Sequence, residues 1–351
     1  MGSGSWNVGT YDTSVKRNKA AGKSTFDYSM KAASGAVSKV NKLLDPKVVA
    51  GDTSQFAGKV MREVCVSDEH PNPTAIGIVL DVTGSNIEAA TVVHSNLPKL
   101  FSMLQTKGYA DDPQINISAT GDANKWDRFP IQFGQFESDN RIDDQLGAMI
   151  LEAGGGGGGD ETYEMLAYLY ARHTYQEPLE KSGKKGYLFF IGDEVPYSKV
   201  NAARMRELTG IAMEDDVSTK EIFKELLDKY EVFFLFQKQG SYRPDEVLPS
   251  WQKLIGERAL VLDDPAQVCD TIAGIVGVLE QKVSIDDLEE DLGDLGTDKS
   301  LILSTSKAVT LASQAAGKAV ANKPSGGQSP VAKSVGSLPD LGVGLGSTGR
   351  L

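Results

Sequence analysis

The chain has 351 residues, 40% hydrophobic and 24% charged, close to ordinary globular usage, which excludes a wholly disordered or fibrous class and allows one sizeable α/β domain with extensions. A formal charge of -12 and a sequence pI near 4.9 argue against broad attraction to nucleic acid or anionic membrane. No apolar run approaches the roughly 20 residues of a membrane span, so neither is expected as a partner. Cys65 and Cys269 stand far apart, which argues against a disulfide framework and for a reducing compartment. With no signal-peptide pattern at the start, the cytoplasm is the default location.

Residues 1–57 are rich in Ser, Lys, Gly and Ala, with Tyr11, Phe26 and Tyr28 scattered through them, and read as a partly irregular N-terminal extension. Thr74 to Val82 is a continuous apolar run of strand length, as expected of a central strand buried on both faces. Ile87, Ala90, Leu97, Leu100, Phe101 and Leu104 then recur on one helical face, with Pro98 expected to kink or restart the helix. A strand at Gln114–Ala119 pairs with Arg128–Gln135 as an antiparallel edge. Six glycines, Gly154 to Gly159, lead into a helical pattern from Asp160 to Thr174.

Tyr187–Ile191 reads as a second buried strand, followed at once by Gly192, Asp193 and Glu194. A helix near Ser218–Lys229, strands at Val232–Phe236 and Ala259–Leu262, and a helix from Pro265 to about Gln281 complete the alternation. Strands alternating with helices predict a doubly wound, mostly parallel sheet, with its site beyond the strand carboxyl ends. Residues 58–283 form this domain. From 284 to 351 the chain turns acidic and then low in complexity, and beyond Thr310 its Ala, Ser, Gly, Pro and Lys predict a mobile tail unless a partner holds it.

Asp81-Val82-Thr83-Gly84-Ser85 sets three oxygen donors at alternate positions of a strand-to-helix turn. A carboxylate and two hydroxyls converging there suit a hard cation, Mg²⁺ or else Mn²⁺ or Ca²⁺. Ser85 also reads as a helix N-cap. The hexaglycine lacks the Lys-Ser or Lys-Thr of a phosphate-binding loop. His70, His94 and His173 have no partner at zinc spacing, and Glu194 reads equally as a supporting group or a capping carboxylate.

These residues resemble the D-x-S-x-S opening of the metal-ion-dependent adhesion site of von Willebrand factor A (VWA) domains, with Thr83 in place of the first serine. Gly158-Gly159-Asp160-Glu161-Thr162 and Ile191-Gly192-Asp193 match, in order, the family's glycine-rich threonine loop and its aspartate after the next buried strand. From about Asp68 to Lys282 the chain is similar to a group of bacterial and phage VWA proteins, through Asp81–Asn86, Gly134–Asp139, the hexaglycine with Glu161 and Tyr163, Ala171–Thr174 and Lys185–Glu194. The resemblance implies a VWA/Rossmann-like fold and a metal site of Asp81, Thr83, Ser85 and Asp193, completed by Asp160 or Thr162. It also implies a non-enzymatic adaptor that binds a protein partner, or alternatively a structural component, bacterial or of a virion, docking through its extensions. Asp-Val-Thr-Gly-Ser also resembles the D-K-T-G-T motif of haloacid-dehalogenase-class phosphoryl-transfer ATPases, which would make Asp81 a nucleophile. The second aspartate of that class is missing after Gly192-Asp193.

Overall fold

The computed structural model describes residues 4–21, 26–48, 61–84, 86–125, 127–152, 159–238 and 241–317. Its central sheet has six strands, β1 Thr74–Asp81, β2 Pro113–Thr120, β3 Ile131–Gln132, β4 Gly186–Gly192, β5 Tyr230–Gln237 and β6 Ala259–Leu262, in the order β6-β5-β4-β1-β2-β3. Every pairing is parallel except β2 with β3, where Ala119 faces Gln132 and Thr120 faces Ile131. The fold is thus mixed α/β, a mostly parallel sheet flanked by helices, with the antiparallel edge the sequence predicts.

All residues of β1, β2 and β4 are buried, the condition of parallel strands covered on both faces. Ile76, Ile78 and Leu80 join a core against the helices Ile87–Phe101, Gln267–Leu279, Ile285–Asp294 and Lys299–Ala315. Val79, Leu188, Phe190 and Phe234 face the opposite core, built on Tyr163–Arg172, Thr219–Lys229 and Pro244–Ile255. In this second core Trp251 stacks on Phe234 at 4.0 Å between ring centroids. Successive strands step one way from β1 to β2 and the other way from β4 to β5 and β6, so right-handed crossovers lie on opposite faces. The reversal opens a crevice between the carboxyl ends of β1 and β4, where ligands of doubly wound sheets bind.

The helix after β1 runs through Pro98 to Phe101 and hands over to a wider turn at Ser102–Thr106, rather than restarting at the proline. Pro98 has no N–H for the carbonyl of His94, and the Tyr11 hydroxyl approaches that carbonyl at 3.5 Å. Tyr11 belongs to the helix Val8–Ala20, whose N-cap Asn7 accepts from the Thr10 amide. Trp6, just before it, stacks on Phe101 at 4.9 Å. The acidic run carries the helix Ile285–Asp294, with Leu288 and Leu292 fully buried. The helix Lys299–Ala315 follows, and the remainder of the low-complexity stretch, 318–351, lies outside the described residues.

Candidate metal centre

The fully buried run of β1 ends by carrying Asp81, 1% exposed, into the crevice. Its Oδ1 accepts from the Thr83 amide at 2.9 Å and the Thr83 hydroxyl at 2.6 Å. Its Oδ2 accepts from Asn86 Nδ2 at 2.9 Å and the Tyr163 hydroxyl at 3.1 Å. The same Asn86 amide donates to Asp193 Oδ1 at 2.5 Å, so one side chain ties the aspartates of β1 and β4 together. Asp193, fully buried, also accepts through Oδ2 from the amides of Ser241 and Tyr242. Ser85 lies outside the described residues, as do residues 153–158 of the glycine loop.

Gly192, the last residue of β4, makes this approach possible. A Cβ there would stand 1.9 Å from the Tyr163 hydroxyl and 3.0 Å from Asp81 Cβ, so any side chain would expel one of them.

Beyond the loop, Asp160-Glu161 pairs in parallel with Val195-Pro196, and the Val195 amide donates to the Gly159 carbonyl at 3.2 Å. This short ladder brings Glu161 beside Glu194, whose carbonyl accepts from the Trp251 indole at 2.9 Å. Asp81, Glu161 and Glu194 are all buried, and one oxygen from each lies within 4.8 Å of the others. Among the described residues none of the three pairs with a lysine or arginine in a salt bridge. Burial pushes all three carboxyls up; for Asp81 the Thr83 hydrogen bonds oppose the rise, while Glu194 and Asp193 add to it. Glu161 and Glu194 hydrogen-bond each other, an arrangement that needs a proton between them or a cation in its place.

The structure therefore brings Asp81 and Thr83 together, and holds Asp193 to them through Asn86. The loop carboxylate that reaches Asp81 is Glu161. Asp160, next to it, is half-buried, its carboxyl raised by burial and relieved by Lys125. The Thr162 hydroxyl accepts from the Ala123 amide at 2.7 Å. Glu161, Asn86 and Tyr163 are not singled out as site groups by the sequence, and Glu194 is left open there. Their signal was positional: Glu161 is two residues past the last glycine, Glu194 follows Asp193, and Asn86 follows Ser85.

An all-oxygen donor set dominated by carboxylates fits a hard divalent cation, and no His or Cys joins the cluster to favour a soft metal.

No protein-family model and no curated protein sequence matches the chain. Among solved structures, the pilus adhesin SpaC of Lactobacillus rhamnosus GG in its open conformation aligns at 13% identity and a TM-score of 0.40, covering 62% of this chain and 30% of that one. Proximal thread matrix protein 1 of the mussel byssus, with a zinc-occupied MIDAS motif, aligns at 12% identity and a TM-score of 0.37, covering 59% of this chain and 48% of that one. The chain thus spans less than half the length of these structures.

Proposed function

We propose that this chain is a divalent-cation-dependent protein-interaction module of VWA type, with its cation held in the crevice between β1 and β4. The observation that carries this reading is the convergence of three buried carboxylates, Asp81, Glu161 and Glu194, on one point of the topological switch. Removing carboxylates from water is costly unless a cation or protons compensate. Asp81, Thr83, Glu161 and Glu194 would supply oxygens to Mg²⁺ or Mn²⁺, with Ser85 the further hydroxyl, and Asp193 would stand behind them through Asn86. The bound cation neutralises the clustered charge and presents its remaining coordination positions to water or a partner's oxygen. With three carboxylates around a 2+ ion the site stays net negative, which disfavours a partner carboxylate and favours a neutral or hydroxyl donor. For the phosphoryl-transfer reading, Gly192-Asp193 is followed by Glu194, Val195 and Pro196, without the second aspartate that class needs.

Isothermal titration with Mg²⁺ and Mn²⁺ tests the site. Asp81→Asn and Glu161→Gln should each weaken binding at least tenfold, about 1.4 kcal/mol, while Asp160→Thr changes it less. Equal affinity in wild type and Asp81→Asn would remove the assignment. Co-purification of partners with and without EDTA tests the interaction role. Association that survives both chelation and Asp81→Asn would instead favour a structural subunit, bacterial or of a virion, docking through its extensions.

A further inference from the structure

The segment that leaves the acidic centre after Glu194 borders a pocket of the opposite character. A cavity of about 500 Å³ opens between Pro196–Ser198 and the helices Thr219–Lys229 and Pro244–Ile255. Lys220 and Lys253, one from each helix, line it together with the hydroxyls of Ser198, Ser218 and Ser250, and no carboxylate is on its wall among the described residues. In a chain of 48 acidic and 36 basic residues such a lining is not the average surface. Neither lysine forms a salt bridge or a side-chain hydrogen bond among the described residues. The carboxylates that flank Lys220 in sequence are engaged elsewhere, Asp216 with Lys199 at 2.7 Å and Glu221 with Arg172 at 3.4 Å.

We propose that this pocket binds a phosphate monoester. Two ammonium groups match the charge of a dianion, and lysine binds phosphate as a point charge with rotatable donors. Serine hydroxyls add donors for the several oxygens of a tetrahedral anion. Ser218, at the start of the helix Thr219–Lys229, makes no side-chain cap bond, so amides of the first turn add to the same field. A carboxylate is matched best by the planar fork of an arginine, and no arginine lines the pocket. The volume lies within the range of about 300–1,000 Å³ usual for small-molecule sites, and Pro196 and Leu254 on the wall give the organic part of the ester apolar contact. The walls are held in place before any ligand arrives. Thr219, buried, donates from its amide to the Ser198 carbonyl at 3.0 Å and from its hydroxyl to the Tyr197 carbonyl. The helix carrying Lys253 is anchored by buried Trp251, whose indole donates to the Glu194 carbonyl.

Titration calorimetry and ³¹P NMR on the full chain at low ionic strength test this, with O-phosphoserine and AMP as the probes and acetate as the control anion. The expected result is saturable binding of at least one ester, weakened at least tenfold in Lys220→Ala, Lys253→Ala and unchanged in Lys224→Ala, which lies on the same helix outside the pocket. Far-UV circular dichroism and melting confirm that the variants stay folded. Tighter binding of O-phosphoserine assigns the ester to a modified protein side chain, and tighter binding of AMP to a nucleotide. The site does not rest on the cation centre: ester binding should persist in EDTA and in Asp81→Asn, and Mg²⁺ affinity should be the same in the lysine double variant as in wild type. No saturable binding of either ester up to about 10 mM, equal affinity in wild type and the double variant, or acetate binding as tight as the esters overturns the proposal. Ester binding lost in Asp81→Asn but kept in the double variant also overturns it, and places the phosphate on the cation.

Discussion

At the scale of single residues, the centre depends on how closely Asp81, Tyr163 and Gly192 approach. Gly192→Ala places a methyl group where the Tyr163 hydroxyl lies, and overpacking of this kind costs about 1–3 kcal/mol. The double variant Gly192→Ala, Tyr163→Phe removes the clashing oxygen, so denaturant melts should show recovery of about half the loss or more. Additive losses would mean that the clash is not with the hydroxyl. The raised carboxyls of Asp81, Glu161 and Glu194 also predict a pH dependence of cation binding. A cation must displace the protons these groups hold, so affinity should rise with pH through the neutral range. Titrations in buffers of different ionisation enthalpy should show proton release on binding, and Glu161→Gln should reduce the number released.

At the scale of elements, the short strand Arg62–Val64 is tied down by its first side chain. Arg62, 3% exposed, donates to the carbonyls of Asp45, Val48, Met61, Phe133 and Gly134 at 2.5–3.1 Å, and its guanidinium lies over the Phe133 ring at 4.9 Å. Burial lowers its pKa to about 10, yet it stays protonated at neutral pH, and the five carbonyls stand in for a counter-ion. Arg62→Met leaves those carbonyls without a donor and should cost about 3–5 kcal/mol. Calorimetry should show the melting temperature falling by more than about 5 °C. Arg62→Lys, which keeps the charge but loses the planar fork, should recover only part of the loss. A melt of Arg62→Met within 1 °C of wild type would show that the clamp is not structural.

At the scale of the whole molecule, the N-terminal segment seats on the body through Trp6, Tyr11 and Phe26, with Phe26 5.5 Å from the His94 ring. Burial holds the His94 imidazole down to about 4. The unfolded chain therefore takes up a proton near pH 6.5 that the folded chain refuses, and stability falls as pH drops from about 6.5 towards 4. Asp143, which accepts from the Trp6 indole, is raised to about 6 by burial and works in the opposite sense below that pH. His94→Gln should accordingly change the slope of the stability profile most near about pH 5, between the unfolded and folded values, where it leaves the opposing effect of Asp143 uncompensated, as read from denaturant melts; an unchanged slope there would remove His94 as the cause. By itself the sequence determined the six sheet strands and their alternation with helices, because continuous apolar runs of strand length have few other places to go. It also placed Asp81 and Asp193 at strand ends, since each directly follows such a run. Only the tertiary structure decided that Glu161 and Glu194 meet Asp81, because they meet through a two-residue ladder between segments over 30 residues apart, which leaves no local pattern. It likewise decided the seating of the acidic and Ser/Ala-rich helices. Gly274 lets Val309 and Leu288 come so close that a Cβ there would stand 2.8 and 2.9 Å from them, and composition carries no record of that contact.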